Sequence, residues 1–202
     1  MGRSSQKITD LRDLREAVLA LPSSELVNFR RENSYQPVIG EGDPDARLIL
    51  IGEAPGKNEA LSGRPFCGAS GKILDQILAE VGLARSAIYI TSIVKDRPPA
   101  NRDPQPEEIA TYAPFLDQQL LIIQPTVIGT LGRFSMQYIL SRLGLAEQMG
   151  PISSLHGQVF EAKPPYGGVK VMPLYHPAAT IYNQGLRGAL LEDFKKLKRL
   201  VN

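Results

Sequence analysis

The stretch Arg47-Leu48-Ile49-Leu50-Ile51-Gly52-Glu53-Ala54-Pro55-Gly56 decides the fold of this chain. Its first half is a short apolar run, which predicts a strand. Its second half is a loop that is stiffened by glycine and proline and carries one carboxylate, Glu53. An aromatic residue follows in Gly63-Arg64-Pro65-Phe66. A strand that ends in such a loop, with an aromatic ring a few residues on, predicts a pocket for a flat ring.

Apolar runs and helical patterns alternate along the rest of the chain, which is typical of an α/β sheet. Strands are predicted at 47–51, 87–91, 126–129 and 169–174, with an edge strand at 157–160. Pro173 indicates that the run 169–174 lies at an edge or in an irregular position, because proline cannot donate to a ladder. Helices are predicted near 9–21 with Thr9 as the cap, 70–81 with Ser70 as the cap, 107–123, 134–140 and 186–200.

Composition sets limits on the class of protein. A chain of 202 residues is about one domain and buries roughly 70% of its unfolded surface. The net charge of +2 permits nucleic-acid binding without demanding it. Cys67 is the only cysteine, which excludes an intramolecular disulfide and a four-cysteine metal site. The sequence shows no signal peptide and no membrane-spanning run, so we expect a cytoplasmic protein.

Polar residues follow the carboxyl ends of several predicted strands. Glu53, Ser92, the turn 130–132 and His176 all have this position. Open α/β sheets bind ligands at this edge, so these residues are expected to converge on one cleft. Two of these residues also have a purely structural interpretation. Glu53 could cap a turn, and His176 could be a buried hydrogen-bonding group.

Five motifs occur in order: Gly-Glu-Ala-Pro-Gly at 52–56, Gly-Arg-Pro-Phe at 63–66, Tyr-Ile-Thr-Ser-Ile-Val-Lys-Asp-Arg-Pro-Pro-Ala-Asn-Arg at 89–102, Leu-Gly-Arg-Phe at 131–134 and Tyr-His-Pro-Ala-Ala at 175–179. From about Gly40 to the last helix the chain resembles the uracil-DNA glycosylase superfamily, closest to its family 4. The resemblance implies a three-layer αβα fold with a central, mostly parallel four-stranded sheet. It implies one domain over 1–202, with an N-terminal helical extension at about 8–35.

The resemblance also implies an activity, the hydrolysis of the N-glycosidic bond of a deaminated base, typically uracil, in base excision repair. Glu53 and His176 would be the catalytic residues. Charge moves onto the base oxygen as the bond breaks, and a His176 donor would stabilise it. Glu53 would orient water and favour a sugar cation. Phe66 would stack on the flipped base, and Glu59 and Ser92 would complete the base-binding pocket.

The expected partner is DNA that contains a deaminated base, bound by a monomer at the nucleoid. Ile181 and Tyr182 follow the histidine motif and would wedge into the base stack, or else pack against the last helix. The other predicted DNA contacts are polar: Arg97, Asn101, Arg102 and Arg187.

The chain departs from family 4 at the iron–sulfur cluster, which that family holds on four cysteines. Glu25, Asn28, Asp96 and Tyr112 stand at those positions, and none offers a thiolate. We therefore predict no cofactor and no metal. A polar substitute is expected instead, formed by these four residues with Arg30 and Arg31 as partners.

A second departure affects specificity. Family 4 has asparagine where this chain has Ser92. An amide both donates to and accepts from a uracil edge, whereas a hydroxyl rotates to suit either pattern. Uracil remains the first expectation, with hypoxanthine or xanthine as the alternative. A DNA-binding relative with weak or lost catalysis and an unrelated α/β enzyme acting on a phosphorylated small molecule also stay open.

Overall fold

The computed structural model describes residues 3–201. Its strands are β1 (Glu41–Gly42), β2 (Leu48–Gly52), β3 (Tyr89–Ser92), β4 (Val127–Leu131), β5 (Phe160–Ala162) and β6 (Val169–Leu174). They form one sheet in the order β1-β3-β2-β4-β6-β5. Strands β3, β2, β4 and β6 run parallel, while β1 and β5 pair antiparallel at the two edges. The predicted αβα class is confirmed, with the four expected parallel strands at its centre. The edge strand predicted at 157–160 lies at Phe160–Ala162, and the edge strand β1 was not predicted.

Helices surround this sheet. They are α1 (Arg3–Leu19), α2 (Glu25–Glu32), α3 (Lys57–Ser62), α4 (Ala69–Val81), α5 (Pro106–Ile123), α6 (Arg133–Arg142), α7 (Ile152–Leu155), α8 (Ala179–Tyr182) and α9 (Gly185–Val201). The predicted cap of α1 is wrong, because Thr9 lies inside the helix and its hydroxyl donates to the Ser5 carbonyl at 3.2 Å. The predicted cap of α4 is also wrong: Gly68, not Ser70, occupies that position.

The sheet is buried on both faces, and β2 shows why its sequence is continuously apolar. All of its residues are buried. Ile49 and Ile51 face the layer of α5 and α6, whereas Leu48 and Leu50 face the layer of α4 and α9. A parallel strand between two helical layers needs apolar residues at every position, because successive side chains point to opposite faces.

Of the two positions predicted for the run 169–174, the edge position is wrong, whereas an irregular position near its end fits the structure. Strand β6 lies between β4 and β5. Strand β5 pairs only as far as Val171, so Pro173 lies beyond its end. The Pro173 carbonyl accepts the Gly157 amide at 2.9 Å on that open side, where a residue's own amide would also point. The missing donor of Pro173 therefore removes no ladder bond.

The two N-terminal helices precede the first strand and form a third apolar cluster with the loop after β3. Leu14 and Val18 of α1, Leu26 of α2 and Val94 pack there around Tyr112 of α5. This cluster packs the N-terminal helices against the segment that follows the carboxyl end of β3. Among residues 3–201, no helix combines the length and apolarity that a membrane crossing requires.

Candidate active site

Gly52 is the last residue of β2, which lies between β3 and β4 in the sheet. It therefore lies at the carboxyl ends of the parallel strands, where the cleft is expected. A Cβ atom at this position would lie 2.8 Å from Cε2 of Phe66 and 3.5 Å from Oγ of Ser92. Ser92 is also the β3 partner of Gly52 in the sheet. Only glycine therefore allows the edge of the Phe66 ring to rest on the strand end beside Ser92.

The imidazole of His176 completes this group from the end of β6. The rings of His176 and Phe66 have centroids 5.7 Å apart and planes inclined by 35°. Behind the imidazole, a Cβ at Gly132 would lie 3.2 Å from Cβ of His176, and the φ of Gly132 is +97°. The structure thus brings together Phe66, Ser92 and His176, which come from three separate sequence motifs.

The protonation state of His176 follows from its surroundings. Its Nδ1 accepts a hydrogen bond from the Ala178 amide at 3.1 Å. Burial lowers the pKa of His176 to about 4, opposed by the charge of Glu59. The ring is therefore neutral at physiological pH, and with Nδ1 occupied as an acceptor its proton is on Nε2. His176 can serve as a neutral hydrogen-bond donor.

Glu53 begins the loop that follows β2 and is half-buried. Burial, and next the charge of Asp103, raise the pKa of Glu53 to about 7, while Arg133 opposes them. Asp103 and Arg133 form an ion pair of 2.7 Å with each other. A carboxylate with a pKa near neutrality suits proton transfer, because general bases work best close to the operating pH. Arg133 belongs to the Leu-Gly-Arg-Phe motif at 131–134, but neither it nor Asp103 was predicted to lie next to Glu53.

Glu59 of α3 shapes the loop that carries Phe66. Its Oε1 accepts the amides of Cys67 at 2.9 Å and Gly68 at 2.7 Å. These amides precede the first turn of α4, where a carboxylate is electrostatically favourable. One carboxylate oxygen of Glu59 is therefore committed to the loop, and its predicted contact with the base stays a prediction.

Ser92 is buried, and its backbone is anchored by the buried Lys95. Lys95 Nζ donates to the Ser92 carbonyl at 2.7 Å, to Thr91 Oγ1 at 2.8 Å and to Gln119 Oε1 at 2.5 Å. Burial lowers the pKa of Lys95, which is fully inaccessible to solvent. These acceptors match the three donors of an ammonium group.

The predicted phosphate contacts after β3 are engaged within the chain. Arg97 donates to Asn101 Oδ1 at 2.8 Å and to the Tyr35 hydroxyl at 3.1 Å. Arg102 pairs with Glu108 at 2.6 Å and with Glu25 at 2.8 Å. These contacts order the loop, and a role in binding DNA stays a prediction for all three residues: Arg97, Asn101 and Arg102.

The predicted wedge residues lie on α8, directly after the histidine motif. Tyr182 is 89% exposed and Ile181 is 49% exposed. Neither is therefore buried against α9, although packing there was the structural alternative. Arg187 of α9 forms an ion pair with Glu80 of α4.

The positions expected to hold an iron–sulfur cluster do not fit one. Tyr112 donates to Asp96 Oδ2 at 2.6 Å, and Arg30 pairs with the same carboxylate at 3.1 Å. All three are almost completely buried. Such a cluster needs four thiolates, whereas this space is filled by a closed polar network. The predicted substitute thus includes Asp96, Tyr112 and Arg30.

The remaining residues of the predicted substitute lie outside this network. Glu25 pairs with Arg102, and Asn28 accepts from the Ser23 hydroxyl at 2.8 Å. Arg31 donates to the Leu21 carbonyl at 3.2 Å on the surface. The sequence located the region correctly but could not tell which residues face inward.

Comparison with known proteins agrees with this geometry. Residues 39–199 match the family described as the Uracil DNA glycosylase superfamily. The chain is 44% identical to the Type-4 uracil-DNA glycosylase of Sulfurisphaera tokodaii over 94% of this chain and 84% of that protein. It is 43% identical to the Type-4 uracil-DNA glycosylase of Archaeoglobus fulgidus over 85% and 84%. The Type-5 uracil-DNA glycosylase of Thermus thermophilus is 34% identical over 85% and 84%.

Proposed function

The chain belongs to the uracil DNA glycosylase superfamily, and we propose that it hydrolyses the N-glycosidic bond of uracil in DNA as a monofunctional glycosylase of base excision repair. The observation that carries this proposal is the neutral His176, fixed by the Ala178 amide and placed beside the Phe66 ring. A flat base stacked on Phe66 would meet a hydrogen-bond donor that does not need to be charged.

Binding begins with extrusion of the base. Removing a base from the duplex costs a few kcal/mol, and stacking on an aromatic face recovers part of that cost. Phe66 is the ring that we assign to this role. Its support on Gly52 fixes the plane on which the base would lie.

Bond cleavage moves electrons from the glycosidic bond onto the departing base. The developing negative charge is on a base oxygen, and the Nε2 proton of His176 would donate to it. A fixed donor in a water-poor site stabilises such a charge without reorganisation, and loss of one donor costs about 100- to 1,000-fold in rate. The low pKa of His176 keeps this donor neutral across the working pH range.

Glu53 would act on the sugar side of the bond. In its ionised form it can orient the attacking water, accept its proton and favour the cationic sugar. The raised pKa of Glu53 makes it a stronger base than an exposed carboxylate. Water then attacks the anomeric carbon, and the free base and an abasic site are the products.

Ser92 is the observation that favours a second substrate class. Its hydroxyl lies 3.5 Å from the Cβ position of Gly52 and can donate or accept. Hypoxanthine or xanthine present other donor and acceptor patterns than uracil. We propose uracil as the preferred base, with looser selectivity against these purines than an asparagine would impose.

We propose that DNA is held by the exposed side chains next to the histidine motif. Tyr182 and Ile181 are available to enter the base stack and keep the base extruded. A monomer bound to nucleoid DNA in the cytoplasm suffices for this role. We propose Arg97, Asn101, Arg102 and Arg187 as further contacts to phosphates, in addition to or in exchange for their present partners.

A panel of oligonucleotides tests the proposal. Duplex and single-stranded forms carry uracil, hypoxanthine, xanthine or an undamaged base, and alkali-labile sites are measured after incubation. We expect sites at uracil with the wild type and very few with His176→Ala. Salt-sensitive DNA binding without base release from any substrate would favour the non-catalytic relative instead.

A further inference from the structure

Phe66 has an uncommon backbone conformation for an aromatic residue. Its φ is +46°, in the left-handed region that residues with a side chain rarely occupy. Such conformations persist only where their surroundings hold them, and they are concentrated at functional sites. Neighbouring groups must therefore hold Phe66 in place.

Arg85 binds the backbone carbonyls on either side of this strained position. Its Nη2 donates to the Pro65 carbonyl at 2.6 Å, and its Nη1 donates to the Phe66 carbonyl at 3.3 Å. The planar guanidinium can engage both carbonyls at once, which an ammonium group does less well. Arg85 therefore restricts the peptide units before and after the Phe66 Cα atom.

Other contacts fix Arg85 and the loop. Arg85 Nη1 pairs with Asp75 of α4 at 2.8 Å, and the Arg85 side chain is 24% exposed. Glu59 accepts the two amides that follow Phe66. A Cβ at Gly71 would lie 1.9 Å from the Phe66 carbonyl oxygen, so α4 packs directly on this backbone.

We propose that Arg85 is a positioning residue for base excision. It keeps Phe66 in the left-handed conformation, so that the ring stays on Gly52 and beside His176. This inference rests on the proposed function, because the ring is the surface on which the extruded base stacks. Arg85 acts through Phe66 and does not itself contact the base.

Two measurements on Arg85→Ala test this inference. The first is single-turnover base release from a uracil oligonucleotide. The second is ¹⁹F NMR of protein labelled with 4-fluorophenylalanine, in which Phe66→Leu identifies the Phe66 signal. We expect release to slow by about 10- to 100-fold, since small misplacement of a binding group has such effects. The Phe66 signal should shift, and millimolar guanidinium ion should partly restore both readouts.

Two further variants control the experiment. Arg142→Ala also breaks an arginine–carboxylate pair, with Asp117 at 2.8 Å, but it lies on α6 away from the Phe66 loop. We expect it to keep the wild-type rate and the wild-type Phe66 signal. Arg85→Lys serves if the alanine variant does not fold, because an ammonium group can still reach one carbonyl. It should show an intermediate rate and an intermediate shift.

The outcomes separate this inference from the proposed function. An unchanged rate and an unchanged Phe66 signal in Arg85→Ala would overturn the positioning role. So would a slower rate with an unmoved signal and no rescue by guanidinium ion. A wild type that releases no base would contradict the proposed function. In that case, a Phe66 signal that shifts in Arg85→Ala and is restored by guanidinium ion would still show that Arg85 positions Phe66.

Discussion

The backbone amide of Ala178 donates to Nδ1 of His176 across 3.1 Å. This bond connects the first turn after β6 to the chemistry of the cleft, because it determines which ring nitrogen carries the proton. Burial lowers the pKa of the same ring to about 4. The two effects together make His176 a neutral donor over the pH range in which Glu53 changes its charge.

The rate of base release should depend on pH through Glu53. The pKa of Glu53 is raised to about 7 by burial, so the active carboxylate form gains population as pH rises through that value. We predict that kcat/KM increases from pH 5.5 to 8 with an apparent pKa of about 7. Single-turnover rates across this range, measured with enzyme in excess but below saturation, give kcat/KM. In Glu53→Gln, kcat/KM should no longer rise with pH over this range. A wild-type kcat/KM that does not vary over the same range would contradict the assignment of Glu53 as the base.

Glu53→Gln should make the protein more stable at high pH. The folded-state pKa of Glu53 is raised above its unfolded value of 4.5, so the folded state favours the protonated form. The buried charge of Glu53 therefore does not destabilise the wild type below pH 4.5. Its effect develops as pH rises above that value and is complete above about 7. Thermal unfolding should show a higher melting temperature for the variant at pH 8 and none of that gain at pH 4. Equal melting temperatures at pH 8 would argue against burial of the charge.

Asp96→Ala should strongly destabilise the fold. The substitution leaves Arg30, which is 4% exposed, without its carboxylate, and removing one partner of a buried pair costs about 3–5 kcal/mol. Denaturant titration measures this loss. The control Glu192→Ala breaks an exposed pair with Lys195 and should leave the free energy of unfolding close to that of the wild type. An unchanged free energy of unfolding in Asp96→Ala would show that the network of Arg30, Asp96 and Tyr112 does not stabilise the fold.

An iron chelator should leave the wild type unaffected. The positions expected for cluster ligands are filled by the network of Arg30, Asp96 and Tyr112, which needs no metal. We predict the same melting temperature and the same rate of base release before and after prolonged incubation with the chelator. A loss of either that is reversed by iron and sulfide would contradict the assignment.

Ser92→Asn should sharpen the choice of base. An amide at this buried position can donate and accept in a fixed pattern, and a good bidentate contact is worth about 1–3 kcal/mol of discrimination. We expect the ratio of uracil release to hypoxanthine or xanthine release to rise by about tenfold or more. Rates on all three bases, measured in the same sequence context, provide the test. Unchanged rates on every base would show that Ser92 does not set specificity.

The sheet could be predicted from the sequence because its parallel strands are buried on both sides. Such strands leave continuous apolar runs, of which Leu48–Gly52 is the clearest. The edge strand Glu41–Gly42 has too few residues to leave a periodic signal. Pro173 left two positions open for its strand, because the sequence does not show that strand β5 ends before it.

The sequence predicts which residues form the site better than it predicts the contacts that they make. Phe66, Ser92 and His176 were expected to meet because they follow strand ends, which lie at one edge of a parallel sheet. The hold of Arg85 on the Phe66 loop could not be predicted, because it is made with backbone carbonyls, which any residue type supplies. The buried position of Lys95 could not be predicted either, because its acceptor Gln119 lies on α5, which is distant in the sequence. Whether Glu59 faces the base or the loop likewise depends on side-chain direction, which sequence spacing does not determine.

Single-turnover release of uracil by the wild type and by His176→Ala tests the central claim most directly. Both proteins are incubated in excess with the same uracil-containing oligonucleotide, and alkali-labile sites are counted over time. We predict clear release by the wild type and a rate lower by about 100-fold or more in the variant, as expected for loss of one preorganised donor. Equal rates in the two proteins, or no release by the wild type above buffer alone, would contradict the account.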